Sequence, residues 1–200
     1  MKVDVKTLDG KDVTWERATQ SVGSVLRIAP AFRARSTDEG LGVDTSLDVR
    51  YAAAQGRYVI DAVTNRSVRA EVEINYPTVA KVRMQGIVQA AAPNCIFLTL
   101  DDESDPFATW ISLNALTTAK GRILPPALAE EVVRRGSSDA RMEAIELLYG
   151  AAALSSLPPA RLIQRELGIP HRTASAWIIE ARKAGRLSGM NFNAGRPAGA

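Results

Sequence analysis

At about residue 136 the chain changes its period. Before it, Val, Ile, Thr and Tyr alternate with polar residues in short runs; from Ser137 onward apolar residues recur at helical spacing. Alternation buries one face of a strand, whereas a 3.6-residue period buries one stripe of a helix, so the two parts call for different architectures. The expectation is an α+β protein. An N-terminal mixed hairpin and helix domain would span 1–136 and serve dimerisation or binding of a ligand or partner, an all-α three-helix unit would span 137–187, and a flexible tail would follow over 188–200.

Within the front part, "KVDVKTL" and "KDVTW" flank Asp9-Gly10, a pair that favours the positive φ angles of a tight hairpin turn. Ser21 to Gly42 allows two readings, a short helix with a loop or an extended excursion. The runs on either side of Gln55-Gly56, "SLDVRYAAA" and "RYVIDAVT", predict a second hairpin. Pro77 then opens a predicted helix with Val79, Val82, Gly86, Ile87 and Ala90 on one face, and Pro93 stops it. "CIFLTL" and "TWISLNAL" read as short strands, and "PPALAEEVVRRG" as a helix between proline and glycine. The acidic run "DDESDP" lacks the alternating ligands and central glycine of a calcium loop and reads as a solvated loop.

Composition removes several functions. With one cysteine and one histidine the chain has neither a disulfide framework nor the N and S donors of a zinc site, so no metal or cofactor is expected. No Ser/His/Asp grouping or phosphate-cradling glycine loop is present, which argues against an enzyme; Cys95, at the head of an apolar run, reads as a small buried hydrophobe. The start of the chain lacks the apolar core of a signal peptide, and the most apolar window is broken by Pro93. A cytoplasmic location without membrane contact is expected.

Charge is unevenly placed. The net +3 conceals a basic end in which Arg161, Arg165, Arg172, Arg182, Lys183, Arg186 and Arg196 outnumber Glu166 and Glu180, while the remainder is slightly acidic. Such a footprint suits a polyanion.

Three helices are predicted there. The first, "SSDARMEAIELLYGAAALSS", carries Ile145, Leu148 and Ala152, with Ala144, Leu147 and Ala151 widening the stripe. The second begins at Pro159 and ends at Gly168, whose freedom to adopt the left-handed conformation suits a helix end. Ile169 is the expected buried residue of the turn. The third runs from about His171 to Ala184, with Ala174, Trp177, Ile178 and Ala181 inward and Arg172, Ser175, Ala176, Ile179, Arg182 and Lys183 outward. Small residues in the middle of that outer face permit close approach to base edges, and the flanking cations can hold phosphates.

"LIQRELGIPHRTASAWIIEARKAGRL" resembles the helix-turn-helix of bacterial transcriptional regulators, among them short actinobacterial and actinophage proteins ending in a pattern like "VAxxLGxxxxTAxxWIxxARxxGxL". The matching residues are Ile163, Leu167, Gly168, Ile169, Thr173, Ala174, Trp177, Ile178, Ala181, Arg182, Gly185 and Leu187. The resemblance covers roughly the last 45 residues of the helical part. Two positions depart from the pattern: Gln164 replaces an alanine at the contact between the helices, and Pro170 replaces the usual Ser or Thr cap.

The resemblance implies that His171, Arg172, Thr173 and Ser175 enter the major groove of double-stranded DNA while Arg161, Arg165, Arg182 and Arg186 lie near its backbone. The expected function is sequence-specific DNA binding by a regulator of bacterial or phage genes, acting as a homodimer. The alternative is a phage or plasmid DNA adaptor for packaging, replication or partition. An effector ligand is not specified by any motif.

Overall fold

Two four-stranded antiparallel sheets, packed with helices, make up the computed structural model, which describes residues 2–99, 108–117, 121–135 and 138–192. Sheet A takes the order β1 (Asp4–Lys6), β4 (Ala31–Asp38), β5 (Val43–Ala52) and β6 (Arg57–Ser67). Alternation runs through β4 and the second half of β5: Phe32, Ala34, Leu47 and Val49 turn inward, while Arg33, Arg35 and Arg50 turn outward. Outward cations meet acids on the neighbouring strand, with Arg33 Nε 2.6 Å from Asp48 and Arg50 Nε 2.9 Å from Asp61. Sheet B joins β2 (Gln20–Val22), β3 (Leu26–Ile28), β7 (Ile96–Leu98) and β8 (Ile111–Ser112).

The predicted β5–β6 hairpin forms, with a 3-10 turn and Gly56 at φ +62°. The first hairpin forms only its turn. Gly10 has φ +83° and Lys6 bridges Asp12, yet the ladder of β1 is with β4, where Val5 lies opposite the buried Ala34. Of the two readings for Ser21 to Gly42, the extended one holds, as β2, β3 and β4.

Downstream, the helix expected after Pro77 divides into α1 (Tyr76–Val79), capped by Asn75, and α2 (Met84–Ala91). The break lets α2 turn Ile87, Val88 and Ala91 into the core, instead of the predicted stripe through Ala90. "TWISLNAL" is strand only at its centre. Ser112 accepts the Ala115 N–H at 3.2 Å and starts α3 (Leu113–Leu116), a side-chain cap that ends the strand. The predicted acidic loop, Asp101 to Pro106, lies outside the described residues.

The remaining helices are α4 (Pro126–Arg135), α5 (Ser138–Leu154), α6 (Pro159–Leu167) and α7 (His171–Lys183). The second half of α5 is apolar on nearly all sides, as a helix segment inside a core must be, and Ile145, Leu148, Tyr149 and Ala151 to Leu154 are all buried. One continuous apolar cluster joins Leu26, Phe32 and Leu47 of the sheets to Ile145, Ile163 and Ala174 of the helices. After α7 the chain returns to this cluster. Met190 is 1% exposed, and a side-chain carbon placed on Gly23 or Gly150 would lie 2.2 Å from its Cε or 3.3 Å from its Sδ. The expected free tail is therefore packed through Met190, because three glycines, Gly23, Gly56 and Gly150, leave room for it. Arg196 and the rest of 193–200 lie outside the described residues.

Asp44, buried on sheet A, accepts from Arg35 Nε at 2.8 Å and from Thr37 Oγ1 at 3.0 Å. Arg35 above all, with Thr37, holds its carboxyl below the usual carboxylate range. A depressed folded value gives stability that is complete above the unfolded value and disappears as pH falls through the folded one. Asp44→Asn is expected to flatten the fall in stability below about pH 4. Urea unfolding at stepped pH checks this; an acid limb as steep as that of the parent would contradict it.

Candidate nucleic-acid interface

α6 and α7 owe their limits to local chemistry. Pro159 sits in the first turn of α6, where its missing N–H costs nothing. Gly168, at φ +66°, ends the helix by donating its N–H to the Gln164 carbonyl at 2.9 Å, and Ile169 is buried beneath the turn. Pro170 then precedes α7 without any side-chain cap, so the first N–H groups of α7 have no side chain to accept them at that position. Gln164 is exposed, turned away from the contact between the helices.

The two faces of α7 differ as its spacing predicts, with one correction. Ala174 and Ala181 are fully buried, but Trp177 and Ile178 are only half-buried. The Trp177 indole lies at the edge of the core, with the Arg141 guanidinium from α5 5.1 Å above its ring and bonded onward to Glu180 at 3.2 Å. His171, Arg172, Ala176, Ile179, Arg182 and Lys183 are exposed, while Thr173 and Ser175 are half-buried. Ile179, 54% exposed, is a bare apolar side chain in the middle of this polar face.

The cations fall into two groups. Arg161, Arg172 and Lys183 are exposed, and their side chains make no hydrogen bond or ion pair among the described residues. Arg165, Arg182 and Arg186 are held within the molecule. Arg165 Nη2 bonds Glu166 Oε1 at 2.8 Å and the Gly121 carbonyl at 3.0 Å; Arg182 bonds the Tyr149 hydroxyl and lies 5.5 Å from its ring centre. Arg186 Nη1 approaches Glu146 Oε2 at 3.9 Å. Arg165 and Arg182 remain accessible to water while bonded, so each presents its free N–H groups from a fixed position.

Two buried carboxylates organise this region, and neither stands out as a site residue in the sequence. Glu166, 0% exposed, accepts the N–H groups of Ile123 and Leu124 at 2.9 and 3.1 Å, so α6 grips the segment that leads into α4. Glu146 accepts the Ser24 N–H at 2.6 Å and its hydroxyl at 2.8 Å, tying α5 to the β2–β3 turn. Spacing contains the clue: Glu166 stands three and four residues after Ile163 and Leu162, on the face of α6 that is otherwise apolar.

Elsewhere, Cys95 is fully buried and burial pushes its thiol well above the ordinary range, which keeps it protonated and unreactive. Among the described residues, no three His, Cys, Asp or Glu side chains group to hold a metal ion, and no helix is long and apolar enough to cross a membrane. No protein-family model, curated protein or solved structure matches the chain.

Proposed function

We propose that the chain binds double-stranded DNA sequence-specifically through α6, the Gly168 turn and α7, and regulates transcription of bacterial or phage genes. In this reading α5, α6 and α7 form a three-helix helix-turn-helix unit and α7 lies in the major groove. One observation carries the proposal: α7 buries Ala174 and Ala181 while its opposite side leaves Arg172, Ala176 and Lys183 open to solvent. A helix with small side chains at its exposed centre and unpaired cations toward its ends fits the width of the groove and the phosphates beside it.

His171, Arg172, Thr173 and Ser175 at the leading end of α7 are assigned to base edges. Arg161 and Lys183 are assigned to phosphates, joined by Arg165 and Arg182 from their anchored positions. Arg186 reaches the backbone only by leaving the neighbourhood of Glu146. Each good base contact contributes about 1–3 kcal/mol of discrimination, so a homodimer reading two half-sites, spaced by about one helical turn or a multiple of it, is part of the proposal.

Selection from a random duplex library with the full-length protein tests the reading, and enrichment of a repeated half-site is the expected result. Arg172→Ala is expected to cost about 1–3 kcal/mol on the selected site and relax one position, whereas Arg161→Ala weakens all duplexes alike and lowers the salt slope by about one. Equal losses from both variants on every sequence would reject the groove assignment.

A further inference from the structure

The outer edge of sheet A is an open strand. β6 pairs with β5 on one side only, and residues 61–64, 66 and 67 are exposed. Among the described residues, the main-chain N–H and C=O groups of this stretch bond to nothing outside β5. Unused N–H and C=O groups on a long edge invite another strand, and sheets commonly guard them with lysine or proline. "AVTNRS", Ala62 to Ser67, contains neither.

We propose that two copies of the chain pair antiparallel along this edge, β6 against β6, about a twofold axis at Thr64, joining their four-stranded sheets into one. The edge is complementary to itself in that register. A twofold axis normal to the sheet keeps equivalent side chains on the same face, so Thr64 meets Thr64, Ala62 meets the partner's Arg66, and Val63 meets the partner's Asn65.

On the outer face, Ala62, Thr64 and Arg66 stand beside Asp44 and Asp48. The register shift between Asp48 and Val49 turns Asp61 to this face as well, where it bonds Arg50. Each Arg66 thus arrives next to the partner's Asp61, and no like charges stand directly opposite; Thr–Thr and opposite-charge pairs are the cross-strand combinations that stabilise a sheet.

Val63, 40% exposed on the inner face, adds apolar surface to the same edge. A second copy is the occupant that the self-matching charges select. α5 offers a second copy little apolar surface, because from Ala144 to Leu154 it is packed in the core of its own chain. The inference rests on the DNA-binding reading only for its purpose, which is to set two copies of α7 in twofold relation.

Sedimentation equilibrium of the full chain at micromolar concentration is expected to give twice 21.5 kDa. Thr64→Asp, which opposes two carboxylates on the axis, should raise the dimer dissociation constant at least about fivefold. Arg66→Asp should weaken the dimer too, and adding Asp61→Arg should restore it. Because Cys95 is buried, Thr64→Cys presents one exposed thiol that oxidises to a covalent dimer if the register is correct. A monomer at every concentration, a dimer indifferent to Thr64→Asp, or a Thr64→Cys chain that does not crosslink overturns the proposal. A dimer that selects no DNA sequence would leave the edge pairing standing and defeat the DNA reading; a monomer that selects a single half-site would do the reverse.

Discussion

Glu166→Ala is expected to lower the unfolding free energy by about 3–5 kcal/mol, the range reached when a buried acceptor is removed while its donors stay in the core. The carboxylate is fully buried and is shared by the N–H groups of Ile123 and Leu124 and the guanidinium of Arg165, with Arg122 Nε 3.9 Å away. Truncation leaves two main-chain donors without an acceptor in a place water does not reach, and opens a cavity besides. Glu166→Gln keeps one carbonyl oxygen for the main chain but turns an amide or loses charge toward Arg165, so an intermediate loss is expected. Urea unfolding followed by circular dichroism separates the two. A loss below about 1 kcal/mol for the alanine variant, the level of a surface substitution, would show that the carboxylate is not holding α6 to the segment before α4.

The second large effect is expected at the turn between β5 and β6. A side-chain carbon on Gly56 would lie 2.5 Å from the Asn191 nitrogen and 2.7 Å from the Gly189 oxygen, both main-chain atoms that cannot swing aside. Gly56→Ala therefore combines two costs: about 1–2 kcal/mol for a left-handed alanine, and about 1.5–3 kcal/mol if the tail lifts and Met190 enters water. Gly10→Ala supplies the comparison, since Gly10 has φ +83° but nothing within 4 Å of the added carbon. It should show the first cost alone. Equal midpoint shifts for the two variants would mean that the tail yields without loss and that Met190 contributes little.

The parts of this fold that sequence foretells are those fixed by neighbours in the chain. Pro159, Gly168 and Gly185 set helix ends by backbone geometry, and α6 and α7 run almost as their spacing predicts. The β5–β6 hairpin is of the same kind. What local pattern does not contain is choice of partner. β1 has a turn fit for its own hairpin yet pairs with β4, and nothing in "KVDVKTL" names that strand.

The same holds for the candidate interface. The outward set of α7 follows from period alone, but the anchoring of Arg182 and Arg186 depends on Tyr149 and Glu146, which reach them only through the packing of α5 against α7, and Arg165, beside Glu166 in the chain, finds the Gly121 carbonyl only through the fold. Glu166 illustrates the difference in a single residue: counted as charge it merely offsets arginines, whereas placed on the inner face of α6 it becomes the acceptor around which a loop closes.

The thioether seated against Gly23 and Gly150 also changes how the end of α7 opens. Helix ends normally fray in isolation, and their amide protons exchange with solvent through small, cheap excursions. Here the Arg186 amide donates to the Ala181 carbonyl at 3.0 Å and the Met190 amide to that of Leu187 at 3.1 Å, only residues from a side chain wedged at the middle of the protein. Unwinding that end means withdrawing the wedge, so those protons should exchange with the slow class of the central helix, α5, and not with the fast class typical of a terminus.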